Sequence, residues 1–176
     1  MILFSSAADD ITDLSLSGDG VISLSSLADG VMLLSSSADG IISLWSSADG
    51  VILLSPEADW VIILSIAATG MTSLLTAADG VRPISLLSND ATSLSCSANC
   101  GPSGFFDFTG VASLLHLADC RTVFSFELAC IASLLPSANG GTEFSFEFVG
   151  VASLSLSADG GISTSSSFVG VATLSI

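Results

Sequence analysis

The sequence predicts an all-β fold, a repetitive β-solenoid whose coils take about twenty residues, two decads each. Three observations carry that expectation: an unbroken ten-residue period, apolar and polar residues alternating inside each period, and a doubling of the period in the second half of the chain.

The period comes first. Written in tens from Met1, the chain falls into register without a gap, as in VISLSSLADG (21–30), VMLLSSSADG (31–40), IISLWSSADG (41–50) and VASLSLSADG (151–160). The consensus is V-I-S-L-S-S-S-A-D-G. Position 4 is Leu at every tenth residue from Leu14 to Leu74, and again at Leu94, Leu114, Leu134, Leu154 and Leu174. Position 8 is usually Ala, position 9 Asp or Asn, and position 10 Gly. A loop-borne active site ordinarily breaks such a pattern, and no insertion does so here.

The alternation selects strand over helix. Ten residues make about 2.8 turns at 3.6 residues per turn, so a helix would carry the Leu row around its surface, and repeated Ser and Gly disfavour helix. Positions 2, 4 and 8 are apolar while 3, 5 and 7 are mostly Ser, with Asp13, Glu57, Asp107, Glu127, Glu143 and Glu147 among the exceptions. That is the period-two signature of a strand with one buried face. Ala-Asp-Gly then reads as a turn, in which Asp bonds local backbone and Gly accepts positive φ. A phase reset at the turn is expected to bring Val at position 1 inward as well.

From about residue 101 the period becomes twenty. VASLLHLADC (111–120), IASLLPSANG (131–140) and VASLSLSADG (151–160) alternate with RTVFSFELAC (121–130), GTEFSFEFVG (141–150) and GISTSSSFVG (161–170). Position 8 alternates small and large through Ala118, Leu128, Ala138, Phe148, Ala158 and Phe168, which predicts small facing large across a thin core. An antiparallel β-meander, with each Ala-Asp-Gly closing a hairpin, or a stacked cross-β assembly, are the alternatives. The organisation is one decapeptide-repeat domain over 1–176, with Ser/Leu/Asp-Gly decads in 1–100 and Phe-containing double decads in 101–176. Nearly nine coils make a rod on the order of 40 Å long.

Composition narrows the function. Half the residues are hydrophobic, so a core is expected and wholesale disorder is not. Only Arg82 and Arg121 are basic against 17 acidic residues, a net charge of -15. Nucleic acid requires cations along its phosphates, and anionic lipid requires a basic surface, so neither is an expected partner. Trp60 to Ala78 carries no charge and has about the length of a membrane span. It keeps the decad register, however, and reads as two ordinary repeats. Met1-Ile2-Leu3-Phe4 is apolar, but no basic segment precedes it and Asp9-Asp10 follows, so it does not read as a secretory signal. An extracellular or cell-surface location, reached by another route or after loss of a leader, is the expectation, the alternative being that the protein stays inside.

Candidate chemistry is sparse. Asp19, Asp29, Asp39, Asp49, Asp59 and Asp79 share position 9 with Asp119 and Asp159. Stacked carboxylates suit a hard cation such as Ca²⁺, although Asp is also the ordinary turn residue. The pattern resembles calcium-binding nonapeptide β-rolls in stacking Asp-containing turns. It has ten residues where those have nine and lacks their Gly-Gly-x-Gly-x-Asp spacing, so no calcium site is carried over. Cys100, Cys120 and Cys130 occupy position 10. A twenty-residue coil stacks Cys100 on Cys120 within disulfide reach, the alternative being buried or free thiols. Cys96 stacks on His116, the single histidine, by the same offset, and the two ligand pairs on adjacent rungs are the candidate for a zinc site, the alternative being core filling among Phe106, Phe126 and Phe146. A Ser-His-Asp triad would have to use His116, in the apolar context Leu115-His116-Leu117, and no phosphate loop or paired-carboxylate pocket is present. Catalysis and an organic cofactor are therefore not expected. The aromatic runs FFDF (105–108), FSF (124–126) and FSFEF (144–148) read as core filling, or as an exposed interface.

The function expected from these features is structural. Met1 begins in register and Val171–Ile176 stops in mid-repeat, so open β edges are expected to draw copies of the chain into a fibre. The alternatives are a surface-binding module, ice-binding or adhesin-like, using a flat Ser-rich face, and a spacer.

Overall fold

The computed structural model describes residues 1–8, 10–99 and 102–175. Its strands are β1 (Ile2–Ala8), β2 (Ile11–Gly18), β3 (Val21–Ala28), β4 (Val31–Ala38), β5 (Ile41–Ala48), β6 (Val51–Ala58), β7 (Val61–Ala68) and β8 (Thr72–Ala78). They continue with β9 (Arg82–Ser88), β10 (Ala91–Ala98), β11 (Pro102–Ala118), β12 (Thr122–Ala138), β13 (Thr142–Ser155), β14 (Ser157–Ala158) and β15 (Ile162–Ser175). Every pairing among the described residues is parallel and joins residues twenty apart. A meander would pair neighbouring decads antiparallel, and this register excludes it. The chain is a β-solenoid of about eight turns.

One sheet runs β1-β3-β5-β7-β9-β11 and the other β2-β4-β6-β8-β10-β11. The long strands β11, β12, β13 and β15 pass around one corner without a break and serve both sheets. Thr109 pairs with Ala129 and Gly110 with Cys130 in the same ladder that joins Phe108 to Leu128. The uncharged segment 60–78 forms most of two such decads, and among the described residues no helix is long and apolar enough to cross a membrane.

The corner explains why the phase never resets. Two residues, positions 9 and 10, make the bend, and an even number preserves the alternation of side chains. Position 1 therefore points outward, contrary to the sequence expectation, and Ile11, Val111, Ile131 and Val171 are exposed. The backbone ladder continues around the bend: Asp59 N–H donates to Ala38 O (3.2 Å) and Val61 N–H to Gly40 O (3.3 Å). The left-handed conformation expected at the turn occurs at Gly20 (φ 100°) and Gly70 (φ 138°). At Gly40 and Gly50 the reason for glycine is different. A Cβ there would lie inside the carbonyl group of Gly20 or Gly30 one coil below.

Inward positions are 2, 4, 6 and 8, and one continuous hydrophobic cluster runs from Ile22 to Leu156. Each fully buried Leu, Ile or Phe contributes about 1.5–3 kcal/mol. Position 6 is inward even where Ser26, Ser36 and Ser46 stand there. All three are buried. Ser26 and Ser46 find an acceptor in Met32 Sδ (2.8 and 3.1 Å), while Ser36 Oγ has no partner. In the second half Phe takes over the interior, as the aromatic runs predicted. Phe106, Phe126 and Phe146 stack with centroids 5.1 Å apart, close to the spacing of the coils themselves. Gly104 stands where the consensus has Leu, and Phe106 fills the room: a Cβ at 104 would come 2.7 Å from its Cζ. The expected facing of small and large at position 8 is not how the core closes. Phe108, Leu128, Phe148 and Phe168 form one ladder, and Ala118, Ala138 and Ala158 form another in the second sheet. These are different corners of the coil.

Candidate functional site

The row of position-9 acids divides in two. Successive decads bend at alternate corners, so Asp29 and Asp49 lie along one corner and Asp19, Asp39, Asp59 and Asp79 along the other. On both rows several later coils carry a hydrogen-bond donor in place of the acid. Thr69 Oγ1 donates to Asp49 Oδ1 (2.7 Å), Asn99 Nδ2 to Asp79 Oδ1 (2.7 Å), and Asn139 Nδ2 to Asp119 Oδ1 (2.8 Å). Thr109 Oγ1 likewise reaches Asn89 O and Oδ1 (3.2 Å each). A donor twenty residues on from a carboxylate converts a like-charge contact into a cross-strand pair. Among the described residues no three His, Cys, Asp or Glu side chains converge to hold a metal ion.

Cys96 and His116 are ladder neighbours, as the period required. Both are buried, and they belong to a polar knot that sequence reasoning missed. Its centre is Arg82, at inward position 2 and 0% exposed. The guanidinium spans the core: Nη1 donates to Thr76 O (3.3 Å) and Oγ1 (3.1 Å), Nη2 to Ala78 O (3.0 Å) and to Ser97 O. Its Nε has no partner. Burial pulls the guanidinium pKa down, against the opposing influence of Cys96 and Asp79. Cys96 is pushed up by burial, with Thr76 and Arg82 opposing. His116 is 1% exposed, lies edge-on to Phe124 (4.8 Å between centroids), and has no hydrogen bond at either ring nitrogen. Burial, then the charge of Arg82, lowers its pKa from 6.5 to about 4. A guanidinium beside two candidate ligands opposes a cation there, so the knot serves to satisfy the corner carbonyls of Ala78 and Ser97.

Cys100 lies outside the described residues, so its expected bridge to Cys120 does too. Cys130 is buried at position 10, and burial raises its thiol to about 11.

The outer face of the odd-decad sheet carries a hollow of about 670 Å³, running along the axis between the position-3 and position-5 rows. Trp45 and Phe105 interrupt a position-5 row that is otherwise serine, and they are 64% and 43% exposed. A second hollow of about 560 Å³ lies on the other side of Trp45, between the position-5 and position-7 rows. Glu143, on the wall of the larger one, is ion-paired with Arg121.

These features define an all-β parallel solenoid with two-decad coils, an acidic pair of corners and hydroxyl-bearing faces. No protein-family model, curated protein or solved structure matches the chain.

Proposed function

We propose that this chain is a structural protein that assembles with copies of itself into a fibre, coil added upon coil. The observation that carries the reading is the register: every coil lays the same backbone ladder and the same inward rows on the coil before it, at a constant spacing of twenty residues. An unpaired edge offers a row of N–H and C=O groups as a template for another chain. The side chains support the same addition. Thr164, Ser166, Phe168, Ala172 and Leu174 hold inward positions and yet are exposed. Continued at the same spacing of twenty, Ile162, Ser166 and Leu174 come into register with Ile2, Ser6 and Leu14 of a second copy. The last coil has no charged side chain to oppose Asp10 and Asp13 of that copy. Head-to-tail contacts of this kind do not close and so generate filaments. No catalytic role and no organic cofactor belong to this reading, and an acidic fibre of this kind suits the cell surface or the extracellular space.

Negative-stain electron microscopy of the purified 176-residue protein at moderate salt tests it. Ordered filaments one coil wide, lengthening with protein concentration, are expected. Dispersed particles about 40 Å long at every concentration would overturn it.

A further inference from the structure

We propose that the odd-decad face binds an uncharged, unbranched polysaccharide lying along the solenoid axis across Trp45 and Phe105. The two rings stand on the same row, three coils apart, which is about 14 Å. Ser65 and Ser85 lie between them. The hollow beside the row is walled by Ile63, Pro83 and Val123 and extends toward Ser163 and Ser165, so it is a lane and not a round pocket. Trp45 borders two hollows and is exposed between them.

The chemistry of the lane selects the occupant. Pyranose rings present an apolar C–H face and an equatorial rim of hydroxyls. Exposed aromatic faces take the first, and serine hydroxyls, each both donor and acceptor, take the second. An extended peptide would need backbone partners. On this face they are already used, because β5, β7, β9, β11 and β12 are paired with one another in parallel register. Charge excludes polyanions: the chain carries -15, and the lane offers no free cation because Arg121 is held by Glu143. That same pair leaves the lane electrically neutral. An ice lattice requires a flat array, and two protruding aromatic side chains break this one.

Retention on microcrystalline cellulose, chitin and insoluble linear mannan tests the assignment, with wild type compared against Trp45→Ala, Phe105→Ala and Trp60→Ala. Position 45 is exposed, so circular dichroism should show Trp45→Ala folded as wild type. The expected result is retention on at least one of the three polymers, weakened at least tenfold by Trp45→Ala, weakened also by Phe105→Ala, and unchanged by Trp60→Ala at its distant corner. No retention on any polymer would overturn the proposal, and so would equal retention of Trp45→Ala and wild type. So would loss of self-association in Trp45→Ala, seen by sedimentation, without polysaccharide binding by wild type; the face would then be a contact between copies.

Discussion

Replacing His116 should make the protein both more stable and less sensitive to acid. The imidazole is stacked between Cys96 and Pro136 in its ladder and sits edge-on to Phe124, with neither nitrogen hydrogen-bonded. Burial holds its pKa at about 4 against 6.5 in the unfolded chain. A folded pKa below the unfolded one means that the unfolded state takes up a proton first as pH falls. Stability is therefore lost between about pH 6.5 and 4, and the contribution of this group is constant above and below that window. At about 1.4 kcal/mol per pH unit, the window amounts to about 3 kcal/mol. His116→Leu removes the titration together with the unsatisfied nitrogens. At pH 7.5 the variant should exceed wild type by about 1 kcal/mol, and the gap should widen by about 3 kcal/mol at pH 4. Urea unfolding followed by far-ultraviolet circular dichroism, at low protein concentration and at several pH values, measures it. A gap that stays constant from pH 7.5 to 4 would refute the reasoning.

Two further substitutions probe the corners. Gly40→Ala drives a methyl group into the Gly20 carbonyl and should cost about 2–3 kcal/mol, whereas Gly161→Ala meets open space and should be neutral or stabilising by under about 1 kcal/mol; thermal denaturation of the pair separates close approach from a general intolerance of side chains. Asn99→Asp removes the donor to Asp79 and joins two acidic segments into one row, so it should destabilise by a few tenths of a kcal/mol to about 1 kcal/mol. The loss should shrink in about 1 M salt, where charges are screened within about 3 Å.

Strands, register and parallel stacking were legible because the same ten-residue pattern states each of them many times. The errors have particular causes. Val at position 1 was expected inward through a phase reset at the turn, yet parity across a two-residue corner preserves the phase and decides its direction. Position 6 was passed over because Ser26, Ser36 and Ser46 look like surface; its agreement in phase with positions 2, 4 and 8 was the signal available. Arg82 was counted as charge, although an arginine at position 2 of an otherwise unbroken alternation already marks a buried cation. Trp45 was passed over although it is a Trp in a row of serines, and its companion Phe105 was hidden inside a run that reads as core. The single file of acids became two because a decad is half a coil, a fact that the amino-acid composition of each decad does not display.

That half-coil status also fixes how such a rod can change length. Removing or duplicating twenty residues leaves every later residue on its own sheet and simply shortens or lengthens the molecule by one rung. Removing ten transfers everything downstream to the opposite sheet. In the N-terminal half, where odd and even decads are nearly interchangeable, the transfer brings Leu onto Leu and Ala onto Ala. Beyond Phe105 it brings Phe onto Ala, and the stack loses its fit. The first hundred residues can therefore be edited in tens, while the rest can be edited only in twenties.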